Sequence, residues 1–202
     1  MAFTFFFRDM QTLELAIKHM IPYTAGRSRI RIWDAGCAMG PEPYSLAILL
    51  AENMGHFSFK NLSLHATDLD KTFGEVIQAG EYPEGDLQRI PNGLFEKYFE
   101  PAGRPGYFRV IDTIQSRVSF KWHDLLSLQP IGDDFSLILC KNVLLHLQQA
   151  ERIEVIKMLH RTLSPGGFFA TEQTQKLPTE LSPLFEQVTA DAQIYRKIEV
   201  KQ

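Results

Sequence analysis

The segment Ile30-Arg-Ile-Trp-Asp34-Ala35-Gly36-Cys37-Ala38-Met39-Gly40-Pro41-Glu42-Pro43-Tyr44-Ser45 constrains this chain of 202 residues more than any other. It begins with a short apolar run rich in β-formers and passes through a tight loop carrying Gly36 and Gly40. It then opens a helix whose apolar positions include Tyr44, Ala47, Ile48 and Ala51. Strand, glycine loop and helix form the first half-unit of a nucleotide-type α/β sheet. Glycine belongs in such a loop because a side chain would block close approach of a ligand to the backbone, and because the turn often demands a positive φ.

The loop departs from the dinucleotide fingerprint G-x-G-x-x-G, which seats a pyrophosphate on the helix N-terminus. Glu42 stands where that phosphate would lie, and like charges there repel. A carboxylate at this point fits a ligand with a cationic end, such as S-adenosylmethionine with its ammonium and sulfonium. It equally fits a simple complement to the positive end of the helix dipole. Both readings are compatible with the loop alone.

The composition excludes several classes of protein. The chain is 45% hydrophobic and 11% aromatic, enough for one well-packed domain. A net charge of -3 gives no general nucleic-acid surface. Cys37 and Cys140 are far apart with no C-x-x-C, which fits a reducing cytoplasm, and the six histidines show no metal-ligand spacing, so no metal is expected. The apolar opening Phe3-Thr-Phe-Phe-Phe7 is cut by Arg8 and Asp9, too short for a membrane span.

Along the chain, Leu13, Ala16, Ile17 and Met20 recur at helical spacing and predict a helix from Asp9 to about Ile21, with Asp9 as its cap and Pro22 and Gly26 ending it. Leu62 to Thr67 reads as the second strand, closed by Asp68-Leu69-Asp70. An acidic residue there can accept from both hydroxyls of a ribose, and Asp70 is a candidate cap for the next helix. Leu94, Phe95, Tyr98 and Phe99 suggest a short amphipathic helix. Tyr107 to Ile111 and Arg117 to Trp122 read as two strands joined by a turn over Asp112 to Ser116. Asp134 to Cys140 is a nearly continuous apolar run, as expected of a strand buried on both faces. Glu151 to Leu163 is helical, Ser164-Pro-Gly-Gly167 turns the chain, and Phe168 to Thr171 is a strand. Phe185 to Thr189 and Ile194 to Val200 complete a sheet with an antiparallel edge. The pattern is a doubly wound α/β sheet in a single domain over residues 1–202, with a small antiparallel β insert at about 100–123.

Asp34 to Ala47 resembles the cofactor loop of the CheR family of chemotaxis receptor methyltransferases, which carries Gly-Glu-Glu-Pro-Tyr-Ser here. Four further segments agree in order and spacing. Thr4 and Arg8 match the family's Asn-x-Thr-x-Phe-Phe-Arg, with Ala2 in place of the Asn. Asp68 matches its Asp-hydrophobic-Asp, Asp124-Leu125-Leu126 its Asn-Leu-Leu, and Lys141-Asn142-Val143 its Cys-Arg-Asn-Val-x-Ile-Tyr-Phe. The family's Tyr in that last segment is His146 here, and Glu172 falls where the family has Gly-x-Ser-Glu, though the glycine and serine do not match. The match covers nearly the whole chain, and the five motifs are specific as a set.

The resemblance implies a Rossmann-like class I methyltransferase fold, S-adenosylmethionine as cofactor and S-adenosylhomocysteine as its product. It implies that Thr4, Arg8, Ala35, Gly36, Glu42, Asp68, Leu69, Asp124, Leu125 and Asn142 bind the cofactor and that Arg8 and His146 act at the acceptor. That acceptor is a protein glutamate on a receptor-like helix, giving a γ-methyl ester. A glutamate is anionic at neutral pH and needs no general base. It needs its second oxygen held, which a guanidinium fork does bidentately. The loop Glu100 to Gly106 looks shorter than the Gly-rich loop with which some members grip a receptor pentapeptide, so no such tether is expected. The family's N-terminal helical domain has no counterpart in these residues. Two further readings stay open. His146 can mark another protein or small-molecule acceptor. Alternatively, Ala2, Pro41 and His146 can mark a non-catalytic module, against which Arg8, Glu42, Asp68 and Asn142 argue.

Overall fold

The computed structural model describes residues 4–199. Ala2, one of the departures from the family pattern, and Val200, the expected end of the last strand, lie outside them. The central sheet has seven strands. They are β1 (Ile30–Ala35), β2 (Leu62–Asp68), β6 (Val118–Trp122), β7 (Phe135–Leu139), β8 (Leu163–Ala170), β9 (Phe185–Gln187) and β10 (Ile194–Lys197), in the order β6-β2-β1-β7-β8-β10-β9. The first five are parallel, and β10 runs antiparallel to both β8 and β9. Chain order runs outward from β1 through β2 to β6, then crosses back to β7 on the other side of β1. That reversal opens a crevice at the carboxyl ends of β1 and β7, where ligands of open α/β sheets bind.

Helices α1 (Met10–Thr24), α2 (Pro41–Asn53), α3 (His56–Lys60), α4 (Phe73–Ala79), α5 (Glu84–Leu87), α6 (Leu94–Tyr98), α7 (Asp112–Gln115) and α8 (Gln149–Thr162) complete the layers. Alternation along β1 divides the core between the two faces of the sheet. Ile30 and Ile32 join Leu13, Ile17 and Met20 of α1 and Ile48 of α2 in one cluster. Trp33 and Ala35 join Phe135, Ile138, Phe169 and the α8 residues Val155, Ile156 and Leu159 in the other. Every residue of β7 is buried, as expected of a strand at the centre of a sheet covered on both faces, and all but Ser136 are apolar.

Several elements differ from the expectation. Helix α1 runs on to Thr24 with Pro22 inside it, because the N–H that proline lacks removes only one bond near the end. Asp9 does not cap α1 with its side chain. It sits at φ 52, and its carboxylate points to Lys141. Asp70 also caps no helix directly. Its Oδ1 accepts from the backbone and hydroxyl of Thr72, forming the turn before α4. The expected hairpin over Tyr107 to Trp122 does not form. Strand β5 (Tyr107–Val110) lies between β3 (Glu81–Pro83) and β4 (Phe99–Pro101) in a separate antiparallel sheet, whereas β6 pairs in parallel with β2 at the edge of the main sheet. The β insert therefore spans Glu81 to Val110, with the short α7 redirecting the chain. The Ser164-Pro-Gly-Gly167 turn is a break within β8. Phe135 pairs with Leu163 but Leu137 with Phe168, and Gly166 takes φ 73.

The small sheet leans on the N-terminal segment. Phe6 is fully buried and meets Tyr82 of β3 and Phe99 of β4 edge-to-face, at 4.9 and 5.4 Å between centroids. Burying such a ring contributes about 2–3 kcal/mol, enough to hold the residues that follow it against the sheet. Among the described residues no helix is long and apolar enough to cross a membrane, and no group of three metal-ligating side chains is gathered.

Candidate active site

The crevice is a cavity of about 650 Å³. Five stretches line it: Thr4 and Arg8, Gly36 to Ala38 with Glu42, Thr67 to Leu69, His123 to Leu126, and Lys141 to Val143 with Leu145 to Leu147. All but the first follow the carboxyl ends of β1, β2, β6 and β7, so the sheet topology alone gathers residues scattered over more than half the chain.

The loop after β1 is shaped by two glycines. Gly36 has φ 104, and a Cβ there would fall 2.1 Å from Val143 Cγ2. Gly40 has φ 100, and a Cβ would meet the Tyr82 hydroxyl at 2.5 Å. That hydroxyl donates to the Met39 carbonyl at 2.9 Å, so the small sheet braces the loop from behind. The loop also fixes Asp68. The Ala38 amide donates to Asp68 Oδ2 at 2.9 Å and the Asp70 amide to Oδ1 at 3.1 Å. Both oxygens are oriented, and each keeps a lone pair for a hydroxyl of a ligand.

The opposite wall carries the charged groups. Ser45 Oγ accepts from the Phe7 amide at 2.8 Å and holds that residue at φ 58. Arg8, next in sequence, is thereby directed into the cavity, where its Nη2 donates to Asn142 Oδ1 at 3.0 Å. Asn142 itself takes φ 59, and its amide donates to Glu172 Oε2 at 2.9 Å. Thr171 Oγ1 donates to the same oxygen at 2.7 Å. The chain Glu172–Asn142–Arg8 thus ties the end of β8 to the N-terminal segment.

Lys141 has no exposed side-chain surface. It donates to Glu42 Oε2 at 2.7 Å and lies 3.4 Å from Asp9 Oδ2. Burial lowers the pKa of its ammonium, but Glu42, Asp9 and Asp34 outweigh that and hold it above the usual value. Asp34, at the end of β1, is fully buried, and neither oxygen receives a hydrogen bond from a described donor. Burial first, and then the charge of Glu42, push its carboxyl well above the ordinary range. Burial likewise pushes up the Cys37 thiol, which leaves it an unreactive wall of the pocket.

Nine of the ten candidate cofactor residues line the cavity: Thr4, Arg8, Gly36, Glu42, Asp68, Leu69, Asp124, Leu125 and Asn142. His146 stands at the rim. Ala35 is the exception, because its side chain is in the core between the sheet and α8. Three of the others have more partners than their sequence positions suggested. Glu42 is bound to Lys141, Asn142 to Arg8, and Asp124 Oδ1 to the Leu126 amide at 2.9 Å. Lys141 and Asp34 enter the sequence pattern only as members of matched segments, and His123 carries no signal of its own. The available signal for Lys141 is a charged residue two positions after the buried, largely apolar β7.

A doubly wound sheet with strand order β6-β2-β1-β7-β8-β10-β9, a glycine loop after its first strand and a ribose-ready carboxylate closing its second defines a class of nucleoside-cofactor α/β proteins. Solved structures agree at the level of fold. The N-methyltransferase NodS of Bradyrhizobium japonicum in complex with S-adenosyl-L-homocysteine matches over 94% of this chain and 85% of its own, with TM-score 0.55 and 16% identity. PKMT2 of Rickettsia typhi matches over 88% and 28%, with TM-score 0.53 and 17% identity. Within the class, residues 2–194 match the family described as CheR methyltransferase, SAM binding domain. Chemotaxis protein methyltransferase 1 of Pseudomonas aeruginosa is 32% identical over 189 residues, 87% of this chain and 67% of its own length. The chemotaxis protein methyltransferase of Vibrio parahaemolyticus is 29% identical over 202 residues, 96% of this chain and 72% of its own. The chain belongs to the CheR methyltransferase family and is an S-adenosylmethionine-dependent methyltransferase.

The residues present fit that cofactor. The cavity has the size of a small-molecule site. Its polar lining includes the carboxylates of Glu42, Asp68 and Asp124, the acceptors that a ligand with a diol and an ammonium needs. Gly36 keeps the backbone side of the pocket clear.

Proposed function

We propose that this chain, acting as one domain in the cytoplasm, methylates a glutamate carboxylate on a helical protein partner of the receptor type. The observation that carries this reading is the Arg8–Asn142 pair at the cavity wall, held by Glu172 from behind. The relatives' names point to chemotaxis, and exposed Leu69, Leu126 and Leu145 give the cavity mouth an apolar rim suited to a protein surface.

Each wall residue has a chemical task under this reading. Asp68 accepts from the ribose hydroxyls, with both oxygens held by backbone amides. Glu42 meets the ammonium end, Asp124 accepts from the adenine amino group with its remaining oxygen, and Leu69 and Leu125 cover the rings. Thr4 and the Gly36 backbone close the pocket. When bound, S-adenosylmethionine supplies a methyl group on a sulfonium, so the reactivity is the cofactor's own. The acceptor carboxylate arrives already ionised and needs no base. Arg8 orients one of its oxygens. Because Asn142 already engages the guanidinium, Arg8 grips the acceptor without fully quenching its charge. Catalysis then rests on proximity and alignment. His146 at the rim can hydrogen-bond the same carboxylate.

His146 also favours a second reading, an acceptor other than a carboxylate, because an exposed imidazole beside the cavity can serve as a base. One experiment decides between them. The protein is incubated with methyl-labelled S-adenosylmethionine and the cytoplasmic helical fragment of a chemoreceptor. Label released as methanol by mild alkali marks a carboxyl ester. Alkali-stable label sinks the glutamate assignment, and Arg8→Ala that keeps turnover sinks the role of Arg8.

A further inference from the structure

Between the end of β1 and the first turn of α2 the protein encloses two carboxyl groups and one cation. Asp34 is fully buried, with both oxygens unmet by any described donor. Glu42 is beside it and already gives Oε2 to Lys141. The charged groups that act on Asp34 are Glu42, Lys141 and Asp68, and the thiols of Cys37 and Cys140 adjoin it. One buried ammonium balances one buried carboxylate. A second carboxylate enclosed beside it without a cation is strongly unfavourable, and a proton is the simplest remedy.

We infer that Asp34 is a neutral carboxylic acid donating a hydrogen bond to Glu42 before the cofactor binds, and that seating the cofactor's ammonium against Glu42 expels this proton. The inference rests on the reading of Glu42 given above. In the loaded site two cations, Lys141 and the ligand ammonium, face two carboxylates. The O–H bond of Asp34 breaks and its proton passes to the solvent. One positive charge enters the pocket and one leaves. Burial and the neighbouring Glu42 hold the Asp34 carboxyl well above its ordinary range, which is the direction this requires. A cluster of Asp34, Glu42 and Lys141 that exchanges a proton for an ammonium keeps the same charge with or without ligand. That explains how a buried acid is tolerated at the end of the central strand.

The test is calorimetric titration with S-adenosylhomocysteine, which carries the same ammonium and transfers no methyl group. Titrations at neutral pH in buffers of different ionisation enthalpy give the number of protons released. The wild-type protein is expected to release a large fraction of one proton more than Asp34→Asn, which has no proton to lose. The comparison cancels the ligand's own titration and any proton exchange that does not involve Asp34. Wild-type affinity is expected to rise with pH by up to about tenfold per unit, across the range between the bound and free values of Asp34. The variant should lack that component. Equal release from both proteins overturns the inference and leaves the cofactor placement standing, whereas absence of binding overturns both. Should Asp34→Asn fail to fold, the infrared difference spectrum of the wild-type protein decides. Loss of a protonated-carboxyl C=O band on ligand addition supports the exchange, and an unchanged carboxyl region overturns it.

Discussion

At the scale of single residues, the site is built from side chains whose partners are distant in sequence. Asp68 was legible because an acidic residue closing the second strand, set behind a glycine loop after the first, can accept from ribose hydroxyls. Asp68→Ala is expected to weaken S-adenosylhomocysteine binding by roughly thirtyfold, about 2 kcal/mol, since it removes an acceptor for two hydroxyls. Titration calorimetry reads this directly. Asp34 was not legible in that way, because nothing local to Trp33-Asp34-Ala35 says that Glu42 and Lys141 will close over it. Its raised carboxyl has a consequence for stability as well as for binding. The folded state binds the proton more tightly than the unfolded chain. The contribution of Asp34 is therefore full below the ordinary carboxylate value and is lost as pH rises through the raised one. Asp34→Asn keeps the neutral form at every pH. Its melting temperature relative to wild type should climb as pH is raised over that interval, and a constant difference would contradict the protonated state. Lys141→Met leaves Glu42 enclosed without its cation, and a loss of about 3–5 kcal/mol in denaturant unfolding is expected.

At the scale of elements, periodicity identified strands and helices well but not always their partners. Tyr107 to Val110 and Val118 to Trp122 each have strand character, and their closeness in sequence suggested a hairpin. The pairing is instead non-local, with Asp68 opposite Trp122 and Glu81 opposite Arg109. Strand pattern encodes which face is buried, and it carries little about which neighbour supplies the hydrogen bonds. The small sheet that replaces the hairpin braces the glycine loop that lines the cavity. Tyr82 of β3 donates to the Met39 carbonyl and closes over Gly40. Tyr82→Phe keeps the ring packing against Phe6 and removes only the hydrogen bond. It should lower unfolding stability by about 1 kcal/mol, the net worth of one buried hydrogen bond, and weaken S-adenosylhomocysteine binding because the loop is held less firmly. Gly40→Ala, which forces a Cβ against the same hydroxyl at a positive φ, should lower both stability and binding.

At the scale of the whole molecule, the doubly wound sheet was readable from the alternation of apolar runs and helices, and the crevice follows from its strand order. What local pattern does not reveal is the surface around the crevice, since an exposed leucine in sequence looks like any other leucine. Leu69 is 63% exposed, Leu126 47%, Trp122 46% and Leu145 42%. These residues follow or end β2, β6 and β7, so the topology that gathers the cavity-lining residues also gathers them. Trp122 Nε1 donates to the Leu69 carbonyl at 2.8 Å, and Lys71 Nζ lies 4.8 Å from the Trp122 ring centre, which together hold part of this rim rigid. Apolar side chains exposed together at a cavity mouth mark a contact surface for a partner. If the acceptor is a protein helix, replacing Leu126 and Leu145 together with serine should raise the acceptor KM by about tenfold, the cost of roughly 1.4 kcal/mol of lost apolar burial. The kcat at saturating acceptor should stay near the wild-type value. A small-molecule acceptor that sits wholly inside the cavity would leave KM unchanged in the same variant. Measured beside the alkali lability of the product, this comparison separates a protein carboxylate from a diffusible acceptor on two independent grounds.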